Sequence, residues 1–549
     1  MRKFLVAILL FSAGITYAQV LPTNFHIKSD FKFIPSKDQS GFDQPGRILL
    51  RQLAIPVSSP TISSNFISDI IVTGDTIWFG TGKGISRTTD NGNSFQNYYN
   101  TAPFGTNDVS AIAVYKNYVV VATSISKNIS EQLQNVPTGT GIRVSADYGA
   151  TWNSYPQPKD RDRYDTSIYY GTDTIWAEPV LVDEYNLSYD ILITKNRSFP
   201  DSLAIWIVSW AGELRKSTDF GAHFTRVLLP PDNLDSIYLG GSYNFHYDPR
   251  DPPLGNDNHK GFSLAAENDS TIYVGTAAGI NKSTDWGVSW RKYNYQNTGN
   301  GSGISGNFVV ALHIQRYGSN VNLWAASNPG TGANQSSGFS YTSNGGASWG
   351  NTLNEGGFSH AIGFMNSLAF ACTDNGIWRS DFTPPNFTWS SPSVIYDEVT
   401  RDQIRTTLFY AMDSQNDSVW VGSGDGLCRT VDLGSPWIGK WKIFRAYTNL
   451  ASVQETYAAP NPFSPRNEVT RIFFKTGKTS SQVTIKIFDF GMNPVRVLLQ
   501  NAPRTNPDVL WTTWDGKRDD GRQVANGVYF YRIEVDNDVT FWGKILVLQ

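Results

Sequence analysis

Short runs of apolar and polar residues, usually four to eight long, recur along this chain and are separated by Gly, Asn and Asp. Such runs predict β-strands, because alternate side chains of a strand point to opposite faces. One unit reads as a strand over 69–73, a second over 76–80, a third over 84–88 and a fourth over 94–98. The second and third strands then recur as VVVAT with GIRVS, IWIVS with ELRKS, IYVGT with GINKS, LWAAS with GFSYT, LAFAC with GIWRS, and VWVGS with GLCRT. Helical periodicity is nearly absent. Seven four-stranded units therefore lie between about Ser63 and Tyr447.

A turn sequence follows the third strand in six units: TTDNGNSF, SADYGATW, STDFGAHF, STDWGVSW, TSNGGASW and TVDLGSPW. Its shared form is Ser/Thr-x-Asp-x-Gly-x-x-aromatic, carried by Asp90, Asp147, Asp219, Asp285, Asn344 and Asp432. A short carboxylate accepts backbone N–H bonds and closes a turn, and Gly tolerates the positive φ that follows. The sixth unit has a degenerate turn interrupted by Pro384-Pro385. Repetition at roughly forty to seventy residues, in units unable to bury both faces alone, predicts blades stacked radially into a β-propeller. Ten of the 17 tryptophans fall at turn ends or in second and third strands, as blade packing requires. Trp176, Trp210, Trp286 and Trp441 are left as candidates for stacking on carbohydrate.

These turns resemble the Asp-box (BNR) repeat of sialidases, sortilin-like receptors and xyloglucan-degrading propellers. The resemblance implies a propeller over 63–450 and makes the boxes structural turns away from the working face. A sialidase needs an arginine cluster, a Tyr nucleophile and an Asp acid/base, and a xyloglucanase two carboxylates across a cleft. Arg47-Ile48-Leu49 and Leu53-Ala54-Ile55-Pro56 only approximate the sialidase entry motif.

The texture changes from about Ala451. A proline-rich entry (Tyr457 to Pro465) precedes TRIFFKT, QVTIKIFDF, NPVRVLL, the turn Trp514-Asp515-Gly516-Lys517, Ala525-Asn526-Gly527-Val528-Tyr529 and GKILVLQ. Period-two strands with Asp-Gly and Asn-Gly turns predict a small antiparallel sandwich. Residues 451–549 resemble the FlgD-type immunoglobulin-like domain, and closely the type A C-terminal sorting domain of type IX secretion substrates. The resemblance implies passage through that machinery and attachment at the cell surface. The expected fold class is all-β: a seven-bladed propeller plus a small Ig-like β-sandwich.

At the other end, Met1-Arg2-Lys3, the apolar run Phe4 to Ile15 and Thr16-Tyr17-Ala18 read as a signal peptide over 1–18. Residues 19–62 either cap the first blade or supply a closing strand through ILLRQLAIP. No later run approaches the ~20 apolar residues of a membrane-spanning helix. Loss of the two cationic residues Arg2 and Lys3 takes the formal charge from −3 to −5, too mild for a nucleic-acid partner. Cys372 and Cys428 fall in neighbouring units, either paired or as two buried thiols.

In a propeller, fourth-to-first and second-to-third connections open on one face, and the box turns on the other. The long connections 124–140, 156–186, 228–260 and 327–337 belong mostly to the first, the expected binding face. Candidate ligand-face residues there are Trp176, Asp183, Glu184, His246, Asp248, Asp251, Asp257 and His259. The run Asp160 to Asp165 reads either as solvated charge or as part of that face. No cofactor is implied. Ca²⁺ is a candidate for the oxygen-rich stretch 243–259, which lacks an EF-hand or nonapeptide pattern. The reading is a secreted or surface-attached bacterial propeller that binds an extracellular glycan or surface protein. The alternatives are an exo-acting glycoside hydrolase, sialidase-like or xyloglucanase-like, and a purely structural platform.

Overall fold

The computed structural model describes strand Gln52–Leu53 and residues 56–549, apart from 131–133, 198–201, 249–255, 355–356, 381–385, 401, 449 and 467–468. The expected signal peptide and most of 19–62 lie outside the described residues. The chain divides into two compact units, one running to 395 and resuming over 406–446, the other made of 396–405 and 447–549.

Among the described residues of the first unit, seven antiparallel sheets each hold four strands consecutive in sequence. Their first strands are Ile67–Thr73, Asp108–Tyr115, Ser188–Lys195, Gly261–Ala266, Phe308–Tyr317, Ser359–Met365 and Phe409–Gln415. Each packs on the first strand of the next sheet, and the seventh packs on the first. That closed ring is a seven-bladed β-propeller. Second strands such as Leu203–Ser209 and Ile272–Thr276 are buried along their whole length, which is why they read as continuous apolar runs.

Every blade draws its four strands from one continuous stretch, so the ring is closed without a shared strand. Hydrogen bonds between the last and first blades do the joining. Asp413 Oδ2 accepts the Val72 N–H at 2.7 Å, Gln415 Nε2 donates to Gly74 O at 2.8 Å, and Ala446 N–H donates to Asn65 Oδ1 at 2.7 Å. Of the stretch expected to close the ring, Gln52–Leu53 instead adds an outer edge strand to the second blade. Val57–Ser59 does the same on the first.

The box turns have a common internal geometry. In the fourth blade Gly287 N–H donates to Ser283 Oγ at 2.8 Å, and Ser289 N–H donates to Asp285 Oδ1 at 2.8 Å. The same pairs recur around Asp90, Asp147, Asp219 and Asn344. Desolvation pushes the Asp90 carboxyl up, but hydrogen bonds from Ser94, Thr88 and Asn93 outweigh it and hold it at about 2. The turn glycine has a second duty. A Cβ on Gly149 would lie 2.8 Å from Trp78 of the preceding blade, and one on Gly287 2.8 Å from Trp206. The turn thus seats the buried second-strand indole of its neighbour.

The box at Asp432 departs from this pattern. Its carboxylate accepts Arg379 Nε of the sixth blade at 2.5 Å, both side chains being at most 5% exposed. Thr430 Oγ1, which should receive the turn N–H, is buried without a partner. A buried guanidinium needs a counter-charge more than the turn needs its carboxylate.

The second unit is a β-sandwich. One sheet holds Tyr457–Ala459, Thr470–Lys475 and Val509–Trp514; the other holds Pro494–Arg504, Ser481–Phe488, Gly527–Val535 and Val539–Val547. Trp514, Ile472, Ile485, Ile533 and Val547 are buried between them. The contacts place the boundary between Ala446 and Tyr447, a few residues before the expected one. The Tyr447 ring packs on Phe473 and Trp511 of the sandwich, at 6.1 and 5.8 Å. The connection between the sixth and seventh blades also lends residues 396–405 to this unit, with Asp402 beside Arg471.

Candidate functional site

Each of the seven first strands carries a β-bulge at the same place near its start, between Ile67 and Asp69 in the first blade and between Phe409 and Ala411 in the last. A bulge re-aims the extra residue. All seven such residues (Ser68, Ser110, Tyr189, Phe262, Val310, His360 and Tyr410) line a cavity of about 130 Å³ on the propeller axis. Phe66 and Asp108, at strand starts, and Gly82, from a second-to-third connection, also line it. The cavity therefore opens on the face where the long connections lie.

Its wall is uneven around the ring. Phe66 and Tyr410 meet edge to face at 5.3 Å, Tyr410 and His360 at 5.0 Å, and Tyr189 tilts against Phe262 at 5.0 Å. The second blade has no aromatic in this wall. It presents Asp108, Ser110 and Ser124, with Asp108 and Ser124 paired across the first and second strands. Asp108 Oδ1, Ser110 Oγ and Ser124 Oγ are buried with no hydrogen-bond partner, and Asp108 is only 6% exposed. Burial pushes the Asp108 carboxyl up to about 8. A group in this condition lacks a donor that a ligand can bring.

Deeper in the channel, Asp69 and Asp190 are tied into the scaffold. Asp69 Oδ2 accepts Ile112 N–H at 3.2 Å and Asp190 Oδ2 accepts Leu264 N–H at 2.7 Å, each from the following blade. Both keep part of their surface on the lumen and are half-buried. Desolvation raises Asp69 to about 7 and Asp190 to about 8, overcoming the backbone bonds that pull them down. His360 Nε2 sits 2.7 Å from Asp374 Oδ1, which fixes its ring in the wall.

The residues expected on the ligand face do not converge. Trp176 and His246 come together as parallel neighbours in a small inserted sheet, rings 4.6 Å apart, with Trp176 39% exposed. That insert runs along the flank, for Tyr170 Oη donates to Val288 O in the box turn of the fourth blade at 2.8 Å. Asp183 pairs with Lys159 at 3.0 Å, and Glu184 with Lys127 at 2.6 Å. Asp257 holds Lys260 at 2.6 Å and the Thr331 hydroxyl at 2.8 Å. These carboxylates fasten one loop to another. His259 is fully buried with its ring 3.9 Å from Tyr247, and burial drops it to about 3. Asp248 lies near the buried Glu213 and adds to the upward push on its carboxyl. Asp251 lies outside the described residues. Among the described residues no group of three or more His, Cys, Asp or Glu could hold a metal ion.

Of the other stacking candidates, Trp286 and Trp441 are buried, against Trp206 and Trp437 respectively, and Trp210 tilts against Tyr185. Asp160 is not solvated: it is 5% exposed and clamped between Arg215, at 2.9 Å, and Arg226. Beside them Glu213, fully buried at φ 64°, occupies the place where most other blades have Gly. Burial lifts its carboxyl to about 8 against the pull of both arginines.

No protein-family model matches this chain, and no curated protein does. Solved structures are similar in outline. PorZ of Porphyromonas gingivalis, described as an essential bacterial surface component of the type-IX secretion system, is 12% identical with a TM-score of 0.35, over 88% of this chain and 66% of that one. The GH74 enzyme of Niastella koreensis is 16% identical with a TM-score of 0.46, over 91% and 75%. YCF48 from Cyanidioschyzon merolae is 14% identical with a TM-score of 0.36, over 67% and 92%. Likeness of this order carries no inference about activity. No helix among the described residues is long and apolar enough to cross a membrane.

Proposed function

We propose that this is a secreted or cell-surface bacterial propeller protein whose Asp-box blades bind an extracellular ligand at the channel mouth. In this reading residues 1–18 export the chain, and the C-terminal sandwich acts as a type IX sorting domain that delivers and anchors it. The observation that carries the binding role is the mouth itself. It combines an aromatic wall with a buried carboxyl and two buried hydroxyls that lack partners. Leaving such groups unsatisfied costs about 1–3 kcal/mol each, a penalty that a bound ligand relieves. Ligand sites are typically such concave, mostly apolar pockets with a few convergent polar groups.

The test is an array of extracellular glycans and peptides probed with the mature chain, with Ser110→Phe and with Val310→Phe. The bulge position already carries an aromatic in the third, fourth and seventh blades, so the backbone accepts one there. Ligands held by the parent chain are expected to be lost from both plugged variants. Retention by both, in folded protein, contradicts a mouth site. Turnover of a retained glycan turns the reading into a glycoside hydrolase. For the sorting role, a chain lacking 455–549 should stay inside the cell envelope; normal arrival at the surface overturns that part.

A further inference from the structure

The polar side of the mouth is a single notch on the second blade, and its chemistry is one-sided. Asp108 can only accept hydrogen bonds once ionised, and Ser110 and Ser124 can accept as well as donate. Asp69 and Asp190, further down the same cavity, add more carboxyl and no cation. Phe66 and Tyr410 stand on one flank of the notch in ring order and Tyr189 and Phe262 on the other, all lining the cavity. Aromatic faces attract cations through their quadrupole. A neutral sugar ring brings many hydroxyls, whereas the unpartnered oxygens here, on Asp108, Ser110 and Ser124, lie on one blade.

We propose that the mouth is a receptor for a primary ammonium on a short apolar stem, the chemistry of a lysine side chain presented by an extracellular protein. This rests on the mouth being the ligand site and adds what kind of group it takes. The ammonium donates to Asp108, Ser110 and Ser124, while its stem lies against Tyr410, Phe66 and Tyr189. No bond is made or broken beyond one proton: the Asp108 hydroxyl proton leaves to solvent as the cation enters.

That exchange gives a readout. Below pH 8 the empty Asp108 carboxyl is mostly protonated because of its burial, whereas an alkylammonium stays charged. Binding then releases a proton, and affinity rises about tenfold per pH unit between pH 6 and 7. Other titratable groups share the cavity. Desolvation by the protein surrounding the channel draws His313 down to about 4 although its side chain is exposed to the lumen, so it stays neutral in this range; Asp69 and Asp190 titrate near 7 and 8, and His360 is paired with Asp374. Burial, and to a lesser extent the Asp108 charge, pushes the Tyr99 hydroxyl up, so it stays neutral. Asp108→Asn separates its contribution from theirs.

The experiment is titration calorimetry of the mature chain with n-butylammonium chloride, glucosamine and methyl β-glucoside, each in two buffers of different protonation enthalpy. Binding of n-butylammonium with release of a proton, weakened at least tenfold and stripped of Asp108-linked release in Asp108→Asn, is the expected result. Tyr410→Leu should weaken it several-fold while leaving the proton count unchanged. Tighter binding of glucosamine overturns the lysine-type assignment in favour of an amino sugar. Binding of methyl β-glucoside alone, indifferent to Asp108→Asn, overturns the ammonium while sparing the mouth as a site. No binding of any probe at millimolar concentration also overturns the ammonium. If Ser110→Phe and Val310→Phe, both folded, leave array binding intact, the mouth itself is wrong.

Discussion

Replacing Gly149 by Ala tests whether the turn glycines hold the blades together by seating tryptophans. Two costs are built into the position. Its φ is +83°, in the left-handed region, which costs a residue with a Cβ roughly 1–2 kcal/mol. The new methyl group would lie 2.8 Å from Trp78, 3.2 Å from Trp152 and 3.3 Å from the Tyr98 hydroxyl. Carbon atoms prefer about 3.5–4.0 Å. Trp78 and Trp152 are at most 1% exposed, so neither ring can move without disturbing its own neighbours. Overpacking of this kind costs typically about 1–3 kcal/mol. Gly149→Ala should therefore destabilise the propeller by about 2–5 kcal/mol. Gly105→Ala is the control, since Gly105 has φ +57° but no atom within 4 Å of its would-be Cβ. Its loss should be confined to about 1–2 kcal/mol. Urea unfolding followed through the near-ultraviolet dichroism of the buried indoles gives both values. Equal losses for the two variants would refute the seating argument and leave the glycine as a matter of backbone conformation alone.

Asp432→Asn should cost about 3–5 kcal/mol in the same urea assay, because it strands the buried Arg379. Asp285→Asn should cost well under half of that, since Asn344 already accepts the equivalent N–H at 2.9 Å; similar losses would count against the diverted carboxylate. Asp69 and Asp190 have folded pKa values raised above their unfolded ones, so stability should fall as pH rises from about 4 to about 8. Against desolvation, hydrogen bonds hold Asp90, Asp219 and Asp285 below the ordinary carboxylate value, so they stay ionised across most of that window. The double variant Asp69→Asn/Asp190→Asn should lessen the decline, leaving the share of Asp108 and Glu213; an unchanged slope contradicts the assignment. Cys372 and Cys428 are buried, free and pushed up by burial, so a thiol reagent at pH 8 should label neither in folded protein and both in urea. Fast labelling of folded protein would show that the blades open.

Much of the fold is legible in the sequence because it rests on local chemistry. The VVVAT and GIRVS type pairs are second and third strands, and in five of the six boxes the Ser/Thr, Asp or Asn, and Gly bond within five residues of one another. The diverted Asp432 was hidden because its partner Arg379 lies 53 positions away in another blade. The candidate site was harder to see for a related reason. A bulge is an offset between two paired strands, and a run such as DVSAIAVY looks like any other half-buried strand until its partner is known. Nothing in its spacing distinguishes Ser110, or leaves Asp108 without a donor. The polar stretch around His259 misled in the opposite sense. Its neighbours are hydrophilic because Asn258 bonds Pro230 O and Asn281 inside the fold, not because the segment faces solvent.

A ligand seated at the channel mouth would be visible in a crystal of the mature protein grown with an array-selected ligand, through difference electron density. Density is expected on the propeller axis, in hydrogen-bonding reach of Asp108 and Ser124 and against the Tyr410 ring. Density on the box-turn face, or over Trp176 and His246 on the flank with the mouth filled only by solvent, would contradict it.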